Sequence, residues 1–220
     1  MRSRHVDEFN HDLWADDYDR NVRNEADPIR AGYADTLAWT VAQAAIGPDD
    51  VVVDLGAGTG NTSALIPTAR RVVCVDISEK MTALARPKLR HLPQVDYVIA
   101  DLLEYYANEP IACDAAVSTY AIHHLTAAEK ETLFAGIFAT LPPGGRAAFG
   151  DLMFRDAAAE QALRAAYSAA GMTELILDFD EEFFWHVDHA TAALSKCGFA
   201  IQEVRQFSNL SWGICVMRET

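Results

Sequence analysis

The chain has 220 residues, half of them hydrophobic, which is long enough for one domain with a sizeable core. Its formal net charge is −14, from 18 Lys and Arg against 32 Asp and Glu, so it is poorly supplied to neutralise the phosphates of a nucleic acid. No apolar run is long enough to span a bilayer, and residues 1–8 (MRSRHVDE) lack the apolar core of a signal peptide, so a cytoplasmic protein is expected. Cys74, Cys113, Cys197 and Cys215 are scattered without a C-x-x-C pair, and read as reduced core residues rather than a disulfide framework or zinc site.

In chain order, residues 9–19 (FNHDLWADDYD) hold Trp14 and Tyr18, four apart and so on one face of a helix. Residues 28–46 are predicted to form an amphipathic helix, closed by Gly47 and Pro48. Val51, Val52 and Val53 then run as a β-branched strand into Asp54, after which Gly56, Ala57, Gly58, Thr59 and Gly60 follow. Glycine at every second position marks a tight turn that accepts positive φ and lets the backbone approach a ligand closely. A helix over 61–68 is expected directly after it. Arg71 to Asp76 is a second apolar run ending in an acid, followed by a helix over 79–88. Val95 to Asp101 is a third such run. Asp114 to Thr119 reads as a fourth strand, with Tyr120, Ala121, Ile122, His123 and His124 in the loop after it.

The second half keeps the alternation. A helix is predicted over 126–141, with Thr126 as N-cap and Glu129 completing a capping box. Pro142, Pro143, Gly144 and Gly145 break it, and 146–153 reads as a fifth strand. An alanine-rich helix over 156–170 is stopped by Gly171, and a further helix ends over 189–196 before Gly198. The runs 199–207 and 210–217 have no helix between them, so they must pair as an antiparallel hairpin. This order of elements predicts a doubly wound α/β domain with no internal repeat or linker.

The turn reads D-L-G-x-G-x-G from Asp54 to Gly60, not the G-x-G-x-x-G of dinucleotide-binding turns. A carboxylate at its mouth suits a cationic ligand better than a pyrophosphate. Asp76 ends the second strand, where a carboxylate can accept both hydroxyl protons of a ribose diol. Together with Asp101, the segment from Asp76 to Met81, and the run from Asp114 to Leu125, these residues resemble class I S-adenosylmethionine-dependent methyltransferases of the small bacterial, small-molecule type. The resemblance covers residues 31–151 by motif and the remainder by general layout.

It implies a Rossmann-like sheet of seven strands, mostly parallel, with an antiparallel C-terminal hairpin strand, and S-adenosyl-L-methionine as cofactor. Asp54, Gly56, Ala57, Gly58 and Gly60 would hold its methionine end. Asp76 would take the ribose, Ile77 would flank the adenine, and Asp101 with Leu102 would fix the adenine edge. Met81 is counted with these residues, and Ser118 and Tyr120 would border the methyl-transfer site. An NAD-binding Rossmann oxidoreductase is the rival suggested by Asp76; the glycine spacing, Asp54 and Asp101 count against it. A binding protein for S-adenosylmethionine without catalysis, acting as sensor or partner subunit, shares every cofactor motif.

Residues 1–220 are expected to form a single domain of this family, with 1–28 as an N-terminal lid segment and 171–190 as a substrate-covering insertion. In the lid, Trp14 and Tyr18 could close over the cofactor, with Tyr18 also a candidate at the reacting atoms. In the insertion, Phe179, Phe183, Phe184, Trp185, His186 and His189 stand among six acids. Aromatics suit a flat or apolar acceptor, and carboxylates a cationic one. His123 or His124 could take a proton from a hydroxyl or amine nucleophile, an unperturbed pKa near ~6.5 suiting that task. Asp151 is a further candidate at the substrate. Glu182, His186 and His189 read as a solvated helix face, so no metal is expected. The expected partner is a small-molecule methyl acceptor, with no nucleic acid and no membrane; a homodimer is compatible with this reading. The implied reaction is in-line displacement of a neutral leaving group. It needs the nucleophile held about 3 Å from the methyl and water excluded, so no acid–base triad is required. The acceptor atom (O, N, S or C) is not fixed by the sequence.

Overall fold

The computed structural model describes residues 2–5, 12, 15–108 and 110–219. Its centre is a sheet in the order β3-β2-β1-β4-β5-β8-β7, formed by β1 (Val51–Leu55), β2 (Arg71–Asp76), β3 (Val95–Ile99), β4 (Ala115–Thr119), β5 (Arg146–Phe154), β7 (Phe199–Gln206) and β8 (Ser211–Arg218). The first five pair in parallel, in registers such as Val53 with Val73 and Val53 with Ala116. β8 runs antiparallel to β5, and β7 antiparallel to β8 with a bulge between Ile201 and Glu203, so the last two strands form the hairpin that the missing helix demanded. An eighth strand, β6 (Trp185–His186), pairs with the end of β5 and was not foreseen.

All five residues of β1 are buried, because helices cover both faces of a central parallel strand. Its side chains alternate. Val51, Val53 and Leu55 join a core with Leu133, Phe134 and Ile137 of α5 (Ala127–Thr140) and Leu194 of α8 (Val187–Lys196). Val52 joins the opposite core, with Val41 of α2 (Tyr33–Gln43) and Ala85 of α3 (Glu79–Lys88). The chain turns to opposite sides of the sheet after β1 and β4, which opens the crevice at their C-terminal ends where ligands bind in such sheets.

Several element ends follow local chemistry. The helix expected over 28–46 is shorter, because Gly32 takes φ 77° ahead of Tyr33 and the Glu25 carboxylate accepts the amides of Gly32 and Ala34 at 3.2 and 3.1 Å. The helix expected over 61–68 shrinks to one 3-10 turn, Ser63–Leu65. Ile66 is extended there, as the residue before Pro67 must tend to be. A helix not expected, α4 (Leu102–Ala107), follows Asp101 directly. The 171–190 segment folds as α7 (Thr173–Glu181), β6 and the start of α8. Thr126 and Glu129 form the capping box, and Asp156 caps α6 (Ala157–Ala169) from its side chain. The remaining helix, α1 (Ala15–Asn21), precedes Gly32. All four cysteines are free thiols; Cys74, Cys113 and Cys215 are buried and Cys197 is half-buried. Among the described residues no helix is long and apolar enough to cross a membrane.

Candidate active site

The three glycines after β1 serve different ends. Gly56 (φ 71°) lets the turn close against the loop after β4: a Cβ there would lie 2.2 Å from the Cβ of Ala121. Gly60 is packed on α3, 3.0 Å from Ala85 by the same measure. At Gly58 (φ 52°) an added Cβ would approach only the Gly56 carbonyl, at 4.0 Å, and so would project into open space. That space is a cavity of about 730 Å³ including its open mouth, lined by Gly56, Gly58, Asp76, Ile77, Met81 and Asp101 among others.

Asp76 organises the wall. Its two carboxylate oxygens accept the amides of Gly58 at 2.7 Å and Ser78 at 2.8 Å, tying the glycine turn to the start of α3. Burial raises its pKa, and the two amides oppose that rise. Asp101 likewise lines the cavity, yet its Oδ1 caps α4 through Leu103 and Glu104 at 3.0 and 3.1 Å. The same carboxylate takes the amide and hydroxyl of Ser3 from the N-terminal segment. The wall therefore carries two carboxylates and, among the described residues, no Lys or Arg. A pyrophosphate would meet like charge on that wall; a sulfonium or ammonium would meet opposite charge.

Asp54 lies elsewhere, contrary to its expected place at the mouth of the turn. Strand alternation turns its side chain with Val52 toward the opposite face, where it is fully buried and accepts the Ser63 hydroxyl at 2.6 Å. Its Oδ1 has no hydrogen-bond partner, and burial pushes its pKa up to about 7 against the help of Ser63. Ser118 is also off the wall. Its buried hydroxyl donates to the Leu55 carbonyl at 2.7 Å, clipping β4 to β1. Ala57 and Gly60 are in the turn but not on the cavity surface. Leu102, Met81 and Tyr18 do line it; Trp14 lies outside the described residues.

A second cavity, of about 600 Å³ by the same measure, adjoins the first. The two share Tyr18, Tyr120 and His124 as walls. Tyr120 holds φ 49°, a left-handed conformation that a bulky residue rarely adopts, and its amide is pinned to the Gly150 carbonyl at 2.9 Å. Beyond it lie Arg30, His123, Asp178 and Glu182. Asp151 stands behind His123 rather than on the surface, with its Oδ1 2.5 Å from Nδ1 of the ring and its Oδ2 accepting the His123 amide at 3.0 Å. Glu182 is not grouped with His186, whose Nε2 is bonded to Glu160 at 2.8 Å; it faces His123 Nε2 at 3.6 Å. Phe179 and Trp185, read as a substrate platform, are buried and pack on Phe154 and Phe134 instead. Arg30 and Asp178 had no sequence signal for a site, and Glu182 was grouped with His186 and His189 instead, because only the fold brings the three to His123.

Asp12 and Asp19 of the N-terminal segment are fastened at three further points to the glycine turn and to α3 with its cap, beside the first cavity rather than on its wall. The Asp12 carboxylate accepts the hydroxyl of Ser78, and Asp19 accepts the Thr59 hydroxyl at 2.6 Å and pairs with Lys88 at 2.5 Å.

Comparison with known proteins agrees with this architecture. A methyltransferase-domain family model matches residues 52–145. The chain is 35% identical over 198 residues to an uncharacterized methyltransferase of Geobacillus kaustophilus, covering 88% of each chain. It is 31% identical to another of Bacillus mycoides, covering 97% of this chain and 98% of that one. In fold it resembles the magnesium protoporphyrin IX methyltransferase of Synechocystis PCC 6803, solved with bound S-adenosylhomocysteine, with a TM-score of 0.71 at 19% identity over 95% and 96% of the two chains. A doubly wound sheet with a carboxylate-walled crevice at its switch point defines the class, and the chain belongs to the class I S-adenosylmethionine-dependent methyltransferases.

Proposed function

We propose that the protein methylates a small-molecule acceptor, with S-adenosylmethionine in the first cavity and the acceptor in the second. The observation that carries this reading is the shared wall: Tyr18, Tyr120 and His124 belong to both cavities, so donor and acceptor would meet there. When bound, the cofactor supplies an electrophilic methyl group on a sulfonium whose departure leaves a neutral thioether.

The residues present fit that ligand. Gly58 leaves room for its backbone approach, and Asp76 retains lone pairs for a ribose diol beside the Gly58 and Ser78 amides. Ile77, Met81, Ala100 and Leu102 supply apolar surface for a purine. Ser3 occupies the edge of Asp101 where an adenine amino group would bind, so cofactor entry displaces Ser3 or shares that carboxylate with it. This is the use proposed for the N-terminal segment: a cover fastened by Ser3, Asp12 and Asp19. Exclusion of water and alignment of the acceptor are then the main tasks of the chain. Tyr120, held by Ser211 at 3.0 Å and by its strained backbone, is placed for alignment, and burial pushes its hydroxyl pKa up to about 12, which keeps it neutral.

A panel of alcohols, amines and thiols incubated with S-adenosylmethionine tests the reading through formation of S-adenosylhomocysteine. Turnover of a compound small enough for the second cavity is expected. Turnover of macromolecular substrates alone would overturn the small-molecule assignment.

A further inference from the structure

The second cavity holds an arrangement that methyl transfer by itself does not require. The Asp151 carboxylate takes the amides of His123 and Leu152 and, at 2.5 Å, the Nδ1 proton of His123. That bond fixes the orientation of the ring. His123 is 4% exposed, and its Nε2 faces Glu182 Oε2 across 3.6 Å. The imidazole nitrogen and the carboxylate oxygen thus face each other in a buried place, too far apart for a good hydrogen bond and at a separation that two ligands of one small cation can share. Among the described residues no Lys or Arg forms an ion pair with Glu182, although Arg30 lines the same cavity. The His124 ring lies beside that of His123, with centroids 4.0 Å apart. One ring nitrogen from each histidine and one Glu182 oxygen all lie within 4.8 Å of one another.

The two segments are clasped together by the protein. The buried Lys130 amine donates to the carbonyl of Leu125, beside the histidines, and to that of Phe183 at 2.6 Å, next to Glu182. The Phe183 amide donates to the His123 carbonyl at 3.0 Å. The donor set is preorganised before any ligand arrives.

We propose that His123, His124 and Glu182 bind a divalent transition-metal ion. Two imidazoles and one carboxylate form a donor set of the kind that binds zinc or a neighbouring first-row ion. Asp151 is the carboxylate behind a ligating histidine that fixes its tautomer and raises its basicity. Three protein ligands leave a coordination position facing the cavity that all three residues line. An acceptor hydroxyl or thiol held there would lose its proton more readily. That last role rests on the acceptor reading above; binding of the ion does not. The other histidine–carboxylate group, His186, Asp188 and His189, is more exposed, and His186 is already bonded to Glu160.

The test uses the full-length protein stripped by chelation and titrated calorimetrically with Zn²⁺ or Mn²⁺ alone, with bound metal counted after dialysis. One equivalent is expected on the wild type. Glu182→Gln and His124→Ala should each weaken binding by about 100-fold, and Asp151→Asn by about 10- to 100-fold. His189→Asn should change nothing. Titration of Glu182→Gln and Asp151→Asn, which lie off the first cavity, with S-adenosylmethionine reports the integrity of the fold and of that cavity. Absence of saturable metal binding to the wild type overturns the proposal, as does binding that Glu182→Gln leaves unchanged. Metal binding without cofactor binding would support this site and contradict the cofactor reading.

Discussion

The two cavities that meet at Tyr18, Tyr120 and His124 are built in opposite ways. The first is made from consecutive strand ends: the glycine turn after β1, Asp76 and Ile77 after β2, Asp101 and Leu102 after β3. Backbone amides and glycine conformations do most of the work there. The second is made from side chains of distant segments: Arg30 before α2, His123 after β4, Leu152 in β5, Asp178 in α7 and Glu182 just after it. A site made from turns is written locally and must keep its spacing, whereas a site made from side chains can change one residue at a time. Asp54 and Asp76 repeat the contrast on a smaller scale. Both stand near the glycine turn, yet strand alternation buries one and presents the other to the cavity.

Substitutions separate these roles, beginning with the largest effect. Gly56→Ala must adopt φ near 71° and push its Cβ into Ala121, so a loss of about 3 kcal/mol or more in urea unfolding is expected. Gly58→Ala meets no such neighbour and bears only the strain of its left-handed φ of 52°, so it should lose about 1–2 kcal/mol and, unlike Gly56→Ala, lose cofactor affinity as its main effect. Equal stability losses for the two would erase the distinction between a packing glycine and a cavity glycine.

Lys130→Met removes the clasp between the Leu125 and Phe183 carbonyls and should cost about 2–3 kcal/mol, two hydrogen bonds from a charged donor being lost. Binding of S-adenosylmethionine should stay within about threefold of wild type, because Lys130 is not itself on the wall of the first cavity and meets it only through the backbone carbonyl of Leu125. A large loss of cofactor affinity would mean that the two cavities are not separately built.

Asp54 gives a pH signature. Its pKa is raised to about 7 in the folded chain against about 3.9 unfolded, so between these values the folded state holds a proton that the unfolded state has released. Its contribution therefore weakens as pH rises from about 4 to about 7 and is level above that. Asp54→Asn removes this slope. The stability of the variant relative to wild type should climb across that window, by an amount of the order of 2–4 kcal/mol. A flat difference across pH 4–7 would place Asp54 outside the buried, half-satisfied position described. Thr126→Ala, which opens the capping box of α5, should have the smallest effect, about 1 kcal/mol by thermal unfolding.

The sheet and the first cavity were legible because their signals are local. Three valines before Asp54, the alternating glycines, and acids at the ends of the second and third strands can each be read within about ten residues. The antiparallel hairpin followed from the mere absence of a helix between its strands. What stayed hidden depended on packing. Nothing local shows that Ser118 clips β4 to β1, or that Asp54 turns toward Ser63. Pro67 was the overlooked reason for the missing helix after the glycine turn, and it was visible in the chain. The partnership of His123 with Asp151 and Glu182 could not be read, since each residue lies on a different element and only the sheet order brings them together.

The most direct test of the account is calorimetric titration of S-adenosylmethionine into wild type, Asp76→Ala and Asp54→Asn under one buffer condition. Asp76→Ala should lose at least about 100-fold in affinity, near 3 kcal/mol, because it removes the carboxylate that both orders the glycine turn and faces the cavity. Asp54→Asn should bind within about threefold of wild type. Equal binding by Asp76→Ala and wild type, or loss confined to Asp54→Asn, would contradict the placement of the cofactor site.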